Sequence, residues 1–500
     1  MLYDSAKLDQ LLEKAKDWAQ INGLCLRTRE RKNSSDYAQI APFALLPSFV
    51  PKQLYNQAIS LQPDMNMLYH QVAFDYQFIC TALSNVVKTD EFTRRLLDIY
   101  KYVYNANGLL ISQPMVLTIQ RSDYMFHHPP ELPAVTSDTV SLQQVEVNQI
   151  ASSFAGLSTT VYGLHRAMLR EIGYKAETVA AHLPDNRAVH TVASGLAEAW
   201  KTYGDPDGYC LFIVENENQN VFDQRLIEYD FVLKTDYGGR VLRFTLTQAA
   251  TELYLDEQHG CRLCTKDGDK EISVVYFRAG YVPQHYHSDV EWQARLMLER
   301  SKAIKCPWIG AQLAGTKKVQ QLLSRAETLR RFVTCAETFQ KVHSTFVGLY
   351  GFDDYQVQHQ LGAGGMGALQ EEMDEVMSRL YRNPDRFVLK PQLEGGGNNV
   401  YGKNILDLLN QLTPDQREAY ILMDRIFPMR HHNYLVRANE KCELSAVVSE
   451  LGTYGYLLGS KDYILKSVGG GHLLRTKAVS TDEGGVMAGA SVLDSPYLVL

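Results

Sequence analysis

A mixed α/β (α+β) fold, with an antiparallel sheet and a small alternating α/β unit set into it, is predicted by three features of the chain. Helical periodicity dominates the first hundred residues and gives way to strand patterning at Met115. Between about Asp207 and Ala314 apolar strands alternate with helices, as in a small α/β unit whose polar loops lie at strand ends. Beyond Arg386 a strand, a glycine loop, a helix and long β-rich segments follow, which does not match a doubly wound order. This last order suits an antiparallel sheet clasping a ligand beneath a loop.

Five hundred residues exceed what one hydrophobic core organises, so three parts are expected: 1–206, 207–314 and 315–500. With 45% hydrophobic and 21% charged residues the composition is that of a globular protein, and a net charge of −7 argues against a dominant nucleic-acid surface. No apolar run approaches the ~20 residues of a spanning helix. MLYDSAKLDQLLEKAKDW lacks the basic-then-apolar plan of a secretory leader, and SPYLVL is no peroxisomal address, so a cytoplasmic location is expected. Of eight cysteines only Cys261 and Cys264 form a close pair, in flanks that read as loop, and a lone pair argues against zinc.

Taken in order, Leu8, Leu11, Leu12, Ala15 and Trp18 define an amphipathic first helix. Lys52 to Tyr104 stays helical, with a break expected at Pro63. Val116, Leu117 and Ile119 form a strand ending in Arg121, Ser122 and Asp123. The next strand alternates Val145 and Val147 with Glu146 and Asn148, which therefore share a face roughly 6.8 Å apart. A carboxylate and an amide so placed suit a hard cation, and equally a solvated strand face. A helix is expected around Tyr162 to Ile172. Tyr209 to Val214 and Ile272 to Phe277 read as strands, Val221 to Tyr229 and Asp289 to Ile304 as helices, the last capped by Asp289. Lys317 and Lys318 open a further helix, where a cation opposes the macrodipole.

RFVLKPQLEGGGNNVYG, Arg386 to Gly402, is the densest signal. Phe387 to Leu389 form a strand delivering Lys390, and Pro391 is expected to end the ladder. Glu394, Gly395, Gly396, Gly397, Asn398 and Asn399 follow; bare N–H groups, a lysine and a carboxylate suit phosphate with Mg²⁺. The same composition also suits a surface hairpin. LGAGGMG supplies G-x-G-x-x-G through Gly362, Gly364 and Gly367, but no buried strand precedes it, so a nicotinamide cofactor is not expected.

RSDYMF, VEVNQIASSF, NVFDQR, VYFRAGY, QLAGTKKVQQ, FVLKPQLEGGGNNVYG, SELG and GHLLRTKA followed by GGV occur in this order. Together they resemble the eukaryotic glutathione synthetase family, a permuted branch of the ATP-grasp superfamily, across essentially the whole chain. The resemblance implies a permuted ATP-grasp body with a glycine-rich lid and an inserted substrate-binding domain at 207–314. It implies an ADP-forming ligase that couples γ-glutamylcysteine to glycine through an acyl phosphate, with two Mg²⁺ ions, in a cytosolic homodimer. By the same resemblance Glu146, Asn148 and Glu394 hold metal. Glu146, Lys317, Lys390, Gln392, Glu394, the Gly395–Asn399 loop, Tyr401, Met423, Asp424, Arg425, Ile426, Glu450, Lys477 and Glu483 contact ATP. Arg121 and Arg475 face the reacting carboxylates and, with Lys317 and Lys390, form the catalytic set. Ile150, Ala151, Ser152, Ser153, Asn218, Gln219, Asn220, Gln224, Arg278, Ala279, Gly280, Tyr281, Val486 and Met487 hold the dipeptide and the acceptor.

Four positions depart from the family pattern. Ala151 replaces a common serine, and Asn218 a position that is often acidic, which weakens a salt bridge to the substrate amine. Glu483 replaces aspartate, and Met487 an alanine in the acceptor loop, leaving β-alanine or serine open as acceptors. A non-catalytic relative that binds a thiol peptide or a nucleotide is the remaining alternative.

Overall fold

Seven strands form the sheet around which the protein is built. The computed structural model describes residues 5–104, 110, 112–132, 136, 139–267, 270–361, 366–392, 398–482 and 484–499. The sheet runs Arg430–Val436, Phe43–Ala44, Ser491–Asp494, Ile464–Ala478, Leu444–Gly459, Val116–His127 and Ser141–Asn148. Its pairs are antiparallel except for a parallel contact of Leu493 with Phe43. Arg430–Val436 also pairs with Leu444–Gly459, so five of these strands close on themselves.

The two longest strands, Leu444–Gly459 and Ile464–Ala478, form a hairpin whose faces divide the work. Leu451 and Leu474 point into the largest core, with Leu61, Met65 and Leu68 of the helix Lys52–Ala73 and the aromatics Tyr100, Tyr104 and Trp308. On the opposite face Tyr454, Tyr456 and Leu458 are covered by the helix Ala188–Tyr203. Nearer the other end that face carries Glu450 and Gly452 instead. One face thus changes from core to site along a single strand.

A four-stranded parallel sheet, in the order Ile304–Cys306, Ile272–Phe277, Tyr209–Ile213, Arg240–Phe244, forms the α/β unit. Its central strands are buried along almost their whole length, as parallel strands with both faces covered must be. A second antiparallel sheet, Leu349–Gly351, Tyr420–Asp424, Phe387–Pro391, Val400–Tyr401, faces the large one across a cleft.

Several expectations are corrected. The helix Lys52–Ala73 runs unbroken through Pro63; eleven buried side chains along it outweigh one lost hydrogen bond. The strand Val116–His127 continues past Asp123. Phe387–Pro391 includes Pro391, paired with Tyr420, because the neighbour Val400–Tyr401 reaches only Val388 and Leu389 and asks no N–H of the proline. The helix from Asp289 ends at Arg300, is capped by Ser288 with Glu291 in a capping box, and leaves Ile304 to a strand. The helix expected around Tyr162 starts at Ala155, where the carboxylate of Asp223 accepts from the N–H groups of Phe154, Gly156 and Leu157. Cys264 lies on the strand Arg262–Thr265, not in a loop, and all eight cysteines are free. Gly362 and Gly364 lie outside the described residues.

Candidate active site

The site grows from strand register. Arg121 is opposite Asn148 and Asp123 opposite Glu146. Asp123 is also opposite Gly452, and Glu450 opposite Arg475. Residues opposite one another share a face, so Arg121, Asp123, Glu146, Asn148, Glu450, Arg475 and Lys477 form one charged floor. The pairing of Glu146 with Asn148 on one face is as the alternation predicts.

Asp123, absent from the expected site, is the hub of that floor. It is fully buried and binds Arg121 with both oxygens, from Nε at 2.7 Å and Nη2 at 2.8 Å. It also accepts from Asn148 Nδ2 at 2.9 Å and Arg475 Nη2 at 3.0 Å. Arg475 bonds Glu450 as well. The signal was present in sequence: Asp123 stands two residues from Arg121, so the two share a face. Ending the strand at Asp123 hid its partners.

Gly452 makes room for this hub. A Cβ there would lie 2.6 Å from Asp123 Oδ1 and 2.8 Å from Arg121 Cδ, both held by the ion pair. Gly452→Ala should therefore lower turnover at least ~10-fold by displacing Arg121, while the neighbouring swap Leu451→Met costs under about 1.5 kcal/mol and spares activity. Initial rates and urea midpoints of the two variants check this.

A bulge in the Ser141–Asn148 strand supplies the next part. The register shifts between Asp123 and Tyr124, leaving Val145 as the extra residue with its carbonyl outside the ladder. Lys390 Nζ donates to that carbonyl at 3.0 Å, crossing from the smaller sheet. Lys390 and Lys317 are both buried, at 5% and 7% exposure. Burial pushes the Glu146 carboxyl up, but Lys317, Lys390, Arg475 and Arg121 together hold it below the usual carboxylate range. Glu450 shifts the other way overall: burial raises its carboxyl, and Asp123 and Glu146 add to this against the opposing pull of Arg475.

Between the two sheets lies a cavity of about 900 Å³. Met125, Val145, Val388, Met423 and Ile426 give it apolar walls, and Lys390, Asn399, Tyr401, Arg425 and Lys477 its polar ones. The Arg425 guanidinium lies over the Tyr401 ring, 5.3 Å from its centroid, and pairs with Asp482 at 2.8 Å. Lys477 Nζ donates to the Asp482 carbonyl. Asp424 turns elsewhere, accepting from Arg379 Nη2 at 2.9 Å and the Tyr350 hydroxyl at 3.1 Å. Gln392 Oε1 accepts from the Lys318 N–H at 3.1 Å. Lys318 itself is fully buried against Asp353, a structural pair. Glu394, Gly395, Gly396, Gly397 and Glu483 lie outside the described residues.

The turn after Asn148 joins this floor to the α/β unit. Ala151 and Phe154 adopt left-handed φ of 52° and 74°, a costly conformation that directs backbone groups inward. Arg121 Nη1 donates to the Ser153 carbonyl at 3.1 Å. From the other side Arg278 Nη1 donates to the Ser152 carbonyl at 2.8 Å and Nη2 to Ser153 Oγ at 2.9 Å. Arg278 is balanced by Asp223 at 3.6 Å and has no partner for Nε among the described residues. Ile150, Ala279 and Tyr281 belong to the small apolar core beneath, and the Gly280 carbonyl is held by Tyr286 and Gln312. Asn218 and Asn220 face one another across a 2.6 Å bond from Asn220 N to Asn218 Oδ1. Gln219 Nε2 donates to the Arg27 carbonyl at 3.1 Å, and Gln224 Oε1 accepts from Arg243 Nη2 at 2.5 Å. Val486 is buried in, and Met487 packs against, the apolar core that also holds Tyr454 and Tyr456.

A carboxylate kept ionised by four cations, beside an apolar cleft between two antiparallel sheets, defines a protein that receives a polyanion carrying an apolar group. Comparison with known proteins is specific. The family model described as eukaryotic glutathione synthase, ATP binding domain, matches residues 5–498. Glutathione synthetase from Xenopus laevis is 41% identical over 99% of this chain and 98% of its own. The Homo sapiens enzyme is 38% identical over 100% and 98%. A chloroplastic glutathione synthetase from Arabidopsis thaliana is 36% identical over 100% and 88%. Among solved structures, a glutathione synthetase-like effector from Globodera pallida superimposes with a TM-score of 0.76 at 23% identity, over 100% of this chain and 98% of its own, a likeness of fold. The chain belongs to the eukaryotic glutathione synthase family, whose members are ATP-dependent ligases.

Proposed function

We propose that the protein joins γ-glutamylcysteine to glycine, consuming ATP and giving glutathione, ADP and phosphate. Family membership supports this reading, and one observation carries it to residues: ionised Glu146 ringed by Lys317, Lys390, Arg475 and Arg121. A carboxylate is a poor electrophile, so ATP first converts the cysteinyl carboxylate to an acyl phosphate, which the glycine amine attacks. No protein nucleophile is needed; the chain positions groups and neutralises charge. Lys317 and Lys390 hold the phosphates. The apolar cleft holds adenine, lined by Met423, Ile426, Tyr401 and Arg425. Arg121 offers five N–H donors and gives three to Asp123 and Ser153, which leaves donor capacity for the reacting carboxylate. Arg475 supports it from Ile464–Ala478, one strand beyond the neighbour Leu444–Gly459. Arg278 takes a dipeptide carboxylate beside the Ile150–Ser153 turn.

The residues present fit Mg²⁺. Glu146 is a hard anionic oxygen donor, and Asn148, its Nδ2 spent on Asp123, retains its amide oxygen. Two such donors amid four cations suit a metal that arrives with the phosphates; Glu394 would be the third. Bound there, Mg²⁺ supplies neutralisation of the phosphate oxygens.

We assign the architecture to the permuted ATP-grasp class, with Gly395–Gly397 as lid and 207–314 as the substrate domain, in a cytoplasmic homodimer. Among the described residues no helix is long and apolar enough to cross a membrane.

Incubation with γ-glutamylcysteine, Mg-ATP and equal glycine, β-alanine and serine tests the reading by product mass. The glutathione mass with stoichiometric phosphate release is expected. A β-alanine or serine product would reassign the acceptor, and absence of phosphate release would overturn the proposal.

A further inference from the structure

The proposed dipeptide begins with a zwitterion: an α-carboxylate and an α-ammonium on one carbon. Arg278 answers the carboxylate. Asn218, expected near the ammonium, is neutral, yet it leads directly to a carboxylate three residues earlier. Asn218 Nδ2 donates to Glu215 Oε2 at 3.0 Å. The Tyr281 hydroxyl donates to Glu215 Oε1 at 3.0 Å, and His285 Nε2 lies 3.3 Å from the same oxygen.

Placement favours a ligand role. Glu215 follows the strand Tyr209–Ile213, and Arg278 follows its parallel neighbour Ile272–Phe277, so both charges stand at the carboxyl ends of adjacent strands. That edge is where parallel sheets receive ligands. Glu215 is fixed without being sealed, its side chain 24% exposed. His285 Nδ1 accepts from the Gly280 N–H at 2.9 Å, which makes Nε2 the ring's donor and points it at Glu215. Burial pushes the Glu215 carboxyl up, but His285, Tyr281 and Arg278 hold it below the usual range. A carboxylate offers about four acceptor directions, and three neighbours leave one for an ammonium.

We propose that Glu215 is the specificity residue for the α-ammonium of the γ-glutamyl group, oriented by Asn218, Tyr281 and His285. The negative charge that Asn218 lacks is supplied from Glu215 at the strand end. This rests on the ligase reading above.

The test uses γ-glutamylcysteine and glutarylcysteine, which differ only by the ammonium. Wild-type enzyme should show a KM for glutarylcysteine about 10- to 100-fold higher. In Glu215→Gln the KM for γ-glutamylcysteine should rise by a similar factor, that for glutarylcysteine should stay within about 3-fold, and the loss should fall on KM rather than kcat. Glu215→Asp, which keeps the charge, should retain part of the discrimination. Wild-type enzyme that turns over both peptides with equal KM overturns the assignment whether or not the variants fold. Equal losses for both peptides in Glu215→Gln also overturn it, as a structural role. Absence of turnover by wild type with γ-glutamylcysteine would instead sink the ligase reading itself.

Discussion

Asp123→Ala is expected to abolish ligase turnover and to lower unfolding stability by about 3–5 kcal/mol. The carboxylate is fully buried and touches Arg121 twice, Asn148 once and Arg475 once. Its removal leaves two guanidinium groups in a buried floor with Glu450 as the remaining acid in direct contact. Two positive charges that were screened by one negative would then repel, and Arg121 would leave the Ser153 carbonyl. Asp123→Asn separates charge from shape: it keeps the volume and one acceptor oxygen but cannot take the bidentate fork. Its stability loss should be smaller, roughly 2–3 kcal/mol, while turnover still falls about 10²-fold or more because Arg121 is no longer fixed. Urea unfolding followed by circular dichroism, with phosphate release from folded protein, checks both. A near-normal rate in Asp123→Ala would show that this ion-pair hub is structural alone.

How the hub escaped the sequence reading says where sequence stops being legible. Alternation placed Glu146 and Asn148 on one face because it depends only on period two within a strand. The relation of Arg121 to Asn148, or of Glu450 to Arg475, depends on register between strands far apart in sequence, which local pattern does not encode. The bulge at Val145 belongs to the same class. It becomes visible only when the partner strand is present, yet it frees the carbonyl that receives Lys390. Pro63 marks the opposite limit. The local cost of a proline was read correctly, but the packing of its helix on the great hairpin overrode it. Glu215 was passed over, since nothing in ENENQN tells a solvated acid from one held by Tyr281 and His285.

Glu146 and Glu450 share the floor yet should respond oppositely to the same substitution. A carboxyl whose folded pKa lies below its unfolded value, near 4.3, stabilises the fold above that value. The contribution is lost as pH falls through the folded pKa. Glu146 is of this kind, because four cations outweigh its burial. Glu146→Gln should cost roughly 1–3 kcal/mol at neutral pH, a deficit that shrinks only below about pH 4.3. Glu450 has its folded pKa raised, chiefly by burial. Its favourable share is present below the unfolded value and is lost as pH rises through the folded one, so its ionised form costs stability at neutral pH. Glu450→Gln should therefore be neutral or stabilising by about 1 kcal/mol at pH 7.5, since Arg475 keeps Asp123 as partner, and the gain should vanish toward pH 4.5. Activity divides the pair again. If Glu146 holds Mg²⁺ as proposed, Glu146→Gln should lose about 10²- to 10³-fold in turnover and need more Mg²⁺ for half-maximal rate. Glu450→Gln should retain the wild-type Mg²⁺ requirement. Urea midpoints between pH 4.5 and 8 and Mg²⁺ titrations of initial rate provide the measurements. Equal destabilisation of both variants at pH 7.5 would contradict the opposite shifts of the two carboxyls, and unchanged Mg²⁺ dependence in Glu146→Gln would overturn its proposed metal role.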